Sequence, residues 1–235
     1  VAQPLSSQQN QHLSKDLGLQ IVDQDPQDLF YLCFQQEKLS LKKRQSREHG
    51  IFVDFLDSEK EFMRQKISPK KDLLAKAIGL EKDLKVCDLT LGLAGDSFKL
   101  CYFGAQVHAF EKNKSLWALS QNALWRYQQS KNHELRLSLT NTSFLDGIDS
   151  QLLQNDVFYL DPMYSHERSA LPRKEMQYLA ELTEPNTEVE LRTICEKIFS
   201  HKKKLVIKRA PQAPQLCGFK PKRSVEGKMV RFDVY

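Results

Sequence analysis

The chain has 235 residues, 40% hydrophobic and 28% charged, with a formal net charge of +5. That length makes one large domain, or one domain with an appendage, and the composition excludes a disordered chain. No apolar run approaches the ~20 residues of a membrane span, so an integral membrane protein is excluded as well.

The amino end is Gln/Ser-rich, with no basic start followed by an apolar stretch, so no secretory leader is expected. Gln20-Ile21-Val22 and Leu29-Phe30-Tyr31-Leu32-Cys33-Phe34 read as short strands around an Asp25-Pro26 turn, and Gly50-Ile51-Phe52-Val53-Asp54-Phe55 as a third. Residues 1–66 thus form a small mixed α+β region, and 67–235 a second unit of different texture. There, 73–78 is a short helix closed by Gly79, and Lys85-Val86-Cys87-Asp88-Leu89 is a strand followed by a Gly-containing loop and a helix to Phe103. Strands follow at 106–110, 135–139, 156–160 and 205–207, and helices at 114–129, 172–182 and 188–200. The carboxyl end reads as a hairpin turning at Glu226-Gly227. Such alternation predicts an α/β fold with a mostly parallel, doubly wound sheet, an antiparallel hairpin at one edge, and ligands bound beyond the strands' carboxyl ends.

Four features fall at those ends. Asp88-Leu89-Thr90-Leu91-Gly92-Leu93-Ala94-Gly95-Asp96 is a Gly-x-x-Gly turn flanked by acids, better suited to a cationic amino acid or sulfonium group than to pyrophosphate. A tight strand–helix turn with a capping Asp is the plainer reading of that loop alone. Glu111 ends the next strand, where a carboxylate can accept both hydroxyls of a ribose. Asn141-Thr142-Ser143 can face an adenine edge, although a polar turn explains it equally well. Asp161-Pro162-Met163-Tyr164 suits a planar amine: the Asp161 carboxylate and Pro162 carbonyl accept its hydrogens and Tyr164 stacks on the ring.

Charge is uneven. Ten Lys/Arg against two acids give residues 201–235 a charge of +8, so the rest carries −3; Lys38, Lys42, Lys43, Arg44 and Arg47 form a second basic cluster. A basic face on a near-neutral body fits a polyanion, and a solvated face fits equally. The five cysteines are scattered, with no Cys-x-x-Cys pair, which fits a reducing cytosol. Neither they nor the histidines have metal-ligand spacing, so no metal is assigned.

Taken together, Gly50 to Phe55, Asp88 to Phe98, Glu111-Lys112-Asn113, Tyr159-Leu160-Asp161-Pro162-Met163-Tyr164 and Ser169-Ala170-Leu171 resemble the RsmJ family. Arg173-Lys174-Glu175-Met176, Val206-Ile207-Lys208-Arg209 and Arg231-Phe232-Asp233-Val234-Tyr235 extend the likeness, which covers residues 38–235. These are bacterial 16S ribosomal RNA guanine 2-amino methyltransferases. The resemblance implies a Rossmann-like class I methyltransferase fold with a seven-stranded sheet. It also implies a cytoplasmic enzyme acting on 16S rRNA or the small ribosomal subunit, with S-adenosylmethionine as cofactor and S-adenosylhomocysteine as product. The cofactor would be held by Asp88, Gly92, Gly95-Asp96, Glu111-Lys112, Thr142-Ser143 and Asp161, and catalysis would use Asp161, Pro162 and Tyr164. Gly95 departs from the basic residue usual in the family, and Ser143-Phe144 from a Ser-Ser pair. RNA phosphates would be met by Lys43, Arg44, Arg168, Arg173, Lys174, Lys208 and Arg209, with Lys208-Arg209 favoured because it leaves the sheet on the ligand side. The competing readings are a DNA or other RNA exocyclic-amine methyltransferase and a non-catalytic RNA-binding module.

Overall fold

A computed structural model of the chain describes residues 29–35, 38–44, 50–131, 135–162, 177 and 180–235. The expected strand at 20–22 and the Asp25-Pro26 turn lie outside them, as does most of the helix expected at 172–182, whose residues 180–182 are helical.

Strands β1 (Phe30–Gln35) and β2 (Lys38–Lys43) form an antiparallel hairpin. The third strand expected from the sequence is not one. Ile51 makes a single bridge to Leu41, and helix α1 (Phe55–Gln65) begins where Asp54 accepts hydrogen bonds from the Leu56 and Asp57 amides. The segment still alternates as a strand does, because Ile51, Val53 and Phe55 are all buried while Phe52 is exposed. Among the described residues no strand pairs with it beyond that bridge, and Asp54 offers a helix start instead.

Helix α2 (Leu73–Ile78) is capped by Asp72 and closed by Gly79, which takes the left-handed conformation that helix ends favour. Then β3 (Lys85–Asp88), α3 (Gly95–Tyr102), β4 (Gln106–Phe110), α4 (Lys114–Lys131) and β5 (Leu137–Thr140) alternate. After the single turn α5 (Phe144–Gly147) come β6 (Val157–Leu160), α6 (Glu188–Ser200), β7 (Lys204–Arg209), β8 (Arg223–Glu226) and β9 (Arg231–Val234). A capping box between Thr187 and Glu190 starts α6 where the sequence pattern put it.

The sheet order is β5-β4-β3-β6-β7-β9-β8. The first five strands in that order are parallel, and β9 lies antiparallel between β7 and β8. The chain runs outward from β3 through β4 to β5, then returns to place β6 on the other side of β3. The ends of β3, β4 and β6 therefore border the switch point, where an open sheet leaves a crevice.

Helices cover both faces. On one, Leu116, Leu119, Ala123 and Tyr127 of α4 pack in a core shared with Leu39, Leu41, Phe55 and Phe98. Phe55 and Phe98 stack with centroids 4.5 Å apart, a contact that adds about 0.5–1.5 kcal/mol beyond burial. Polar ties fix the hairpin and the start of α1 to the same helix. The Leu39 amide donates to Asn122 Oδ1 at 3.0 Å, and Arg126 pairs with Asp54 at 3.1 Å. On the other face, Leu191, Ile194, Cys195 and Ile198 of α6 pack on Phe158, Leu205 and Ile207.

Candidate active site

The loop after β3 starts at a buried carboxyl group. Asp88 is 1% exposed; its Oδ1 accepts from the Thr90 amide at 3.0 Å and its Oδ2 from the Ser97 hydroxyl at 2.5 Å. Burial pushes this carboxyl up to about 7, against the pull of those two hydrogen bonds and with the charges of Asp96 and Asp161 adding to the rise.

Gly92 has φ +55°, a conformation that glycine adopts without the Cβ penalty. Its amide donates to Glu111 Oε2 at 2.9 Å, and the Asn113 amide donates to Glu111 Oε1 at 2.8 Å. The acid at the end of β4 is thus clamped to the β3 loop. Burial holds its carboxyl above the usual range, opposed by the amides of Asn113 and Gly92. A Cβ built on Gly92 or on Gly95 meets nothing within 4 Å, so open space lies before the loop. No side chain caps the first turn of α3 at Ala94.

The β6 tip joins the same loop. The Asp161 amide donates to Thr90 Oγ1 at 2.7 Å. Pro162 follows, buried. Asp96, in the first turn of α3, accepts from the Tyr159 hydroxyl at 2.7 Å and from Lys208 Nζ at 2.9 Å, both on Oδ2. Burial would raise Asp96, but the charges of Lys208 and Lys99 outweigh it and hold the carboxyl at about 2. Lys208 Nζ also donates to Asp161 Oδ2 at 2.8 Å.

Gly92 and Glu111 are therefore joined by a direct hydrogen bond, and Asp88 and Asp161 through Thr90, at the carboxyl ends of β3, β4 and β6. Asn141 adds β5, its side-chain amide donating to the Glu111 carbonyl at 2.8 Å. Ser143 caps α5 through the Leu145 amide, and Thr142 lies beside it with a methyl close to Gly147. Lys112 Nζ reaches the Glu184 carbonyl at 3.4 Å. Tyr164, Arg168, Arg173 and Lys174 lie outside the described residues.

Two of the basic residues read as phosphate contacts are placed differently. The Lys208 ammonium is engaged by two carboxylates. Arg209 is 5% exposed and donates to the Pro214 carbonyl at 2.6 Å, so its guanidinium faces the protein interior. Along β7 successive side chains alternate between faces, and leaving the sheet on the ligand side sends Lys208 into the acidic cluster. Lys43 pairs with Glu181 at 2.6 Å, and Arg44 is exposed at the hairpin's end.

Sequence reasoning missed Thr90, Ser97 and Tyr159. Ser97 and Tyr159 are fully buried, and each of the three hydroxyls serves a site acid or its backbone. A serine in the apolar face of α3 and a tyrosine inside an all-buried strand were the available signals. Each hydroxyl there needs a partner.

The donor set fits a cationic nucleoside: a clamped, buried carboxylate for the ribose, further acids for the cation, and a glycine-lined space between them. Among the described residues no group of three or more His, Cys, Asp or Glu side chains is disposed to hold a metal ion. With β9 turned against its neighbours and the acids gathered at the switch point, fold and site together define a class I S-adenosylmethionine-dependent methyltransferase.

Comparison with known proteins narrows the class. The model of a family described as "Putative SAM-dependent methyltransferase" matches residues 12–235. "Ribosomal RNA small subunit methyltransferase J" of Shewanella loihica is 34% identical over 219 residues, covering 90% of this chain and 84% of that protein. The protein of the same name from Pectobacterium atrosepticum is 33% identical over 219 residues, covering 90% and 88%. A crystal structure of a SAM-dependent methyltransferase from Neisseria gonorrhoeae superposes with a TM-score of 0.80 at 25% identity, covering 100% of this chain and 93% of that one. The chain belongs to the ribosomal RNA small subunit methyltransferase J family.

Proposed function

We propose that this protein methylates the exocyclic 2-amino nitrogen of a guanosine in 16S ribosomal RNA of the small subunit, in the cytoplasm. The printed names of its relatives support the ribosomal RNA substrate. The observation that carries the reading is the Asp161 amide on Thr90 Oγ1, which ties the amine-gripping tip of β6 to the nucleoside-binding loop of β3.

S-adenosylmethionine, bound there, supplies an electrophilic methyl carbon on a sulfonium centre. Glu111 holds the ribose hydroxyls. The backbone at Gly92 and Gly95 and the Asp96 carboxylate would line the methionine end, with Asp88 supporting the loop from behind; Lys112 would border the ribose, and Thr142 and Ser143 the adenine. At the other side the Asp161 carboxylate and the Pro162 carbonyl accept hydrogen bonds from the guanine amine. That nitrogen is a poor nucleophile because its lone pair is delocalised into the ring. Two acceptors on its hydrogens turn the lone pair toward the methyl, and Asp161 takes the proton released after transfer. Orientation of this kind is worth up to ~7–11 kcal/mol. Tyr164 stacks on a base presented outside the helix. Arg44, Arg168, Arg173 and Lys174 contact phosphates, with Lys43 joining them if its pairing with Glu181 is exchanged for RNA.

Labelled methyl transfer to small subunits lacking the modification, followed by nucleoside analysis, tests this reading. N2-methylguanosine is the expected product. Methyladenosine or methylcytidine would replace it with the other exocyclic-amine reading, and no cofactor binding by calorimetry would favour an RNA-binding module.

A further inference from the structure

β7 contributes one cation to the strand tips. Lys208 Nζ lies 2.8 Å from Asp161 Oδ2 and 2.9 Å from Asp96 Oδ2. Its backbone is fixed on both sides, by β6 through the Leu160–Ile207 register and by β9 through Phe232. Asp96 is fixed in turn by the Tyr159 hydroxyl at 2.7 Å and by Lys99 Nζ, 3.3 Å from Oδ1. The Asp161 side chain is 40% exposed at the end of its strand. Removing the ammonium from a carboxylate so exposed widens the range of rotamers open to it.

We propose that Lys208 is a positioning residue: its ammonium, anchored on Asp96, holds the Asp161 carboxylate in the orientation that receives the target amine. The proposal deepens the methyl-transfer reading above and rests on it. With both neighbours of the ammonium carboxylates, it has no free charge to offer a phosphate, while the exposed Asp161 can still accept from an amine donor. Burial pulls Lys208 down, but the charges of Asp96 and Asp161 outweigh it and keep the ammonium above the ordinary lysine value. The cation is therefore permanent at working pH. The charged groups that face it are Asp96 from α3 and Asp161 at the end of β6, and Asp96 also meets Lys99 and the neutral Tyr159 phenol. A carboxylate paired in this way is a good acceptor and a weak base. That matches a reaction in which the nitrogen loses its proton after transfer.

The test compares Lys208→Met, which keeps the aliphatic stem, with Lys208→Arg, which keeps the charge. For Lys208→Met, kcat on small subunits is expected to fall about 100-fold, the loss typical of a misplaced reacting group. KM for the subunit should change less than about 3-fold. The salt slope of RNA binding should stay as in the wild type, whereas loss of a phosphate contact would lower it by about 0.7–0.9. Lys208→Arg should recover about 10-fold or more of the lost kcat. An unchanged kcat in Lys208→Met, or a reduced salt slope, overturns the proposal. If the wild type transfers no methyl to subunits, the function reading fails by itself. The Lys208–Asp161 coupling is then read from urea unfolding of Lys208→Met, Asp161→Asn and the double variant. Non-additive unfolding constants, by about 2-fold or more, support the pairing, and additive ones overturn it.

Discussion

The amide of Asp161 and the hydroxyl of Thr90 meet at 2.7 Å, across the boundary between β6 and the loop after β3. Thr90 has a second tie, its own amide on Asp88 Oδ1 at 3.0 Å. A single threonine thus spaces the buried Asp88 from Asp161. Thr90→Val keeps the branched shape and removes the acceptor. We expect it to cost about 1 kcal/mol of stability, read by urea unfolding, and roughly 10-fold in kcat, read by methyl transfer. Thr90→Ser should restore both.

Asp161→Ala removes the proposed proton acceptor but little packing, since the side chain is 40% exposed. Turnover should fall by at least about 100-fold, the low end of what proton transfer by a positioned group contributes. Unfolding should shift by less than about 1 kcal/mol. Asp161→Asn keeps a carbonyl acceptor but cannot take the proton, and should fall between Ala and wild type. Full activity in the alanine variant would remove Asp161 from the mechanism.

Glu111 accepts one amide on each carboxylate oxygen, from Gly92 and from Asn113. Glu111→Gln replaces one of those oxygens with an amide nitrogen facing an N–H donor. The loop and the ribose contact are both disturbed. Loss of charged hydrogen bonds of about 1.5–3 kcal/mol corresponds to a cofactor Kd raised about 10- to 100-fold, measurable by calorimetry. Binding at wild-type strength would exclude Glu111 as the ribose acid.

The carboxyl of Asp88 gives a pH signature. Its folded-state value, about 7, lies above the ordinary 3.8, so the folded protein keeps a proton that the unfolded chain has released. The corresponding stabilisation is complete below the unfolded value and is lost as pH rises through about 7, with a slope of at most about 1.4 kcal/mol per pH unit. Asp96 has the opposite sign. Held at about 2, it stabilises above 3.8 and loses that contribution only as pH falls toward 2, outside this window. Asp88→Asn can still accept from the Thr90 amide and can donate to Ser97. Urea unfolding of wild type and Asp88→Asn at several pH values between about 4 and 7 should therefore show the wild type losing stability relative to the variant as pH rises. Parallel curves would mean that Asp88 stays charged.

Local chemistry made much of this molecule readable from the chain. Gly79 ends α2 because only its neighbourhood decides a left-handed cap. Thr187 and Glu190 start α6 through a reciprocal bond three residues apart. The segment 50–55 shows the limit of such reading. Its alternation of buried residues was genuine, yet strand identity depends on a neighbour, and beyond the Ile51–Leu41 bridge Asp54 starts a helix.

Periodicity and turn residues alone determined that strands and helices alternate from residue 70 onward, and that acids fall after β3, β4 and β6, with two glycines after β3. Both are matters of short range along the chain. Only the tertiary structure decided what those acids touch. Lys208 meets Asp96 at a separation of 112 positions, Asp161 meets Thr90 at 71, and Tyr159 meets Asp96 at 63. Partners so distant are chosen by strand order and by which face of β7 points to the switch point. The same lysine, read in sequence as a hand for phosphate, is therefore folded inward to hold a carboxylate.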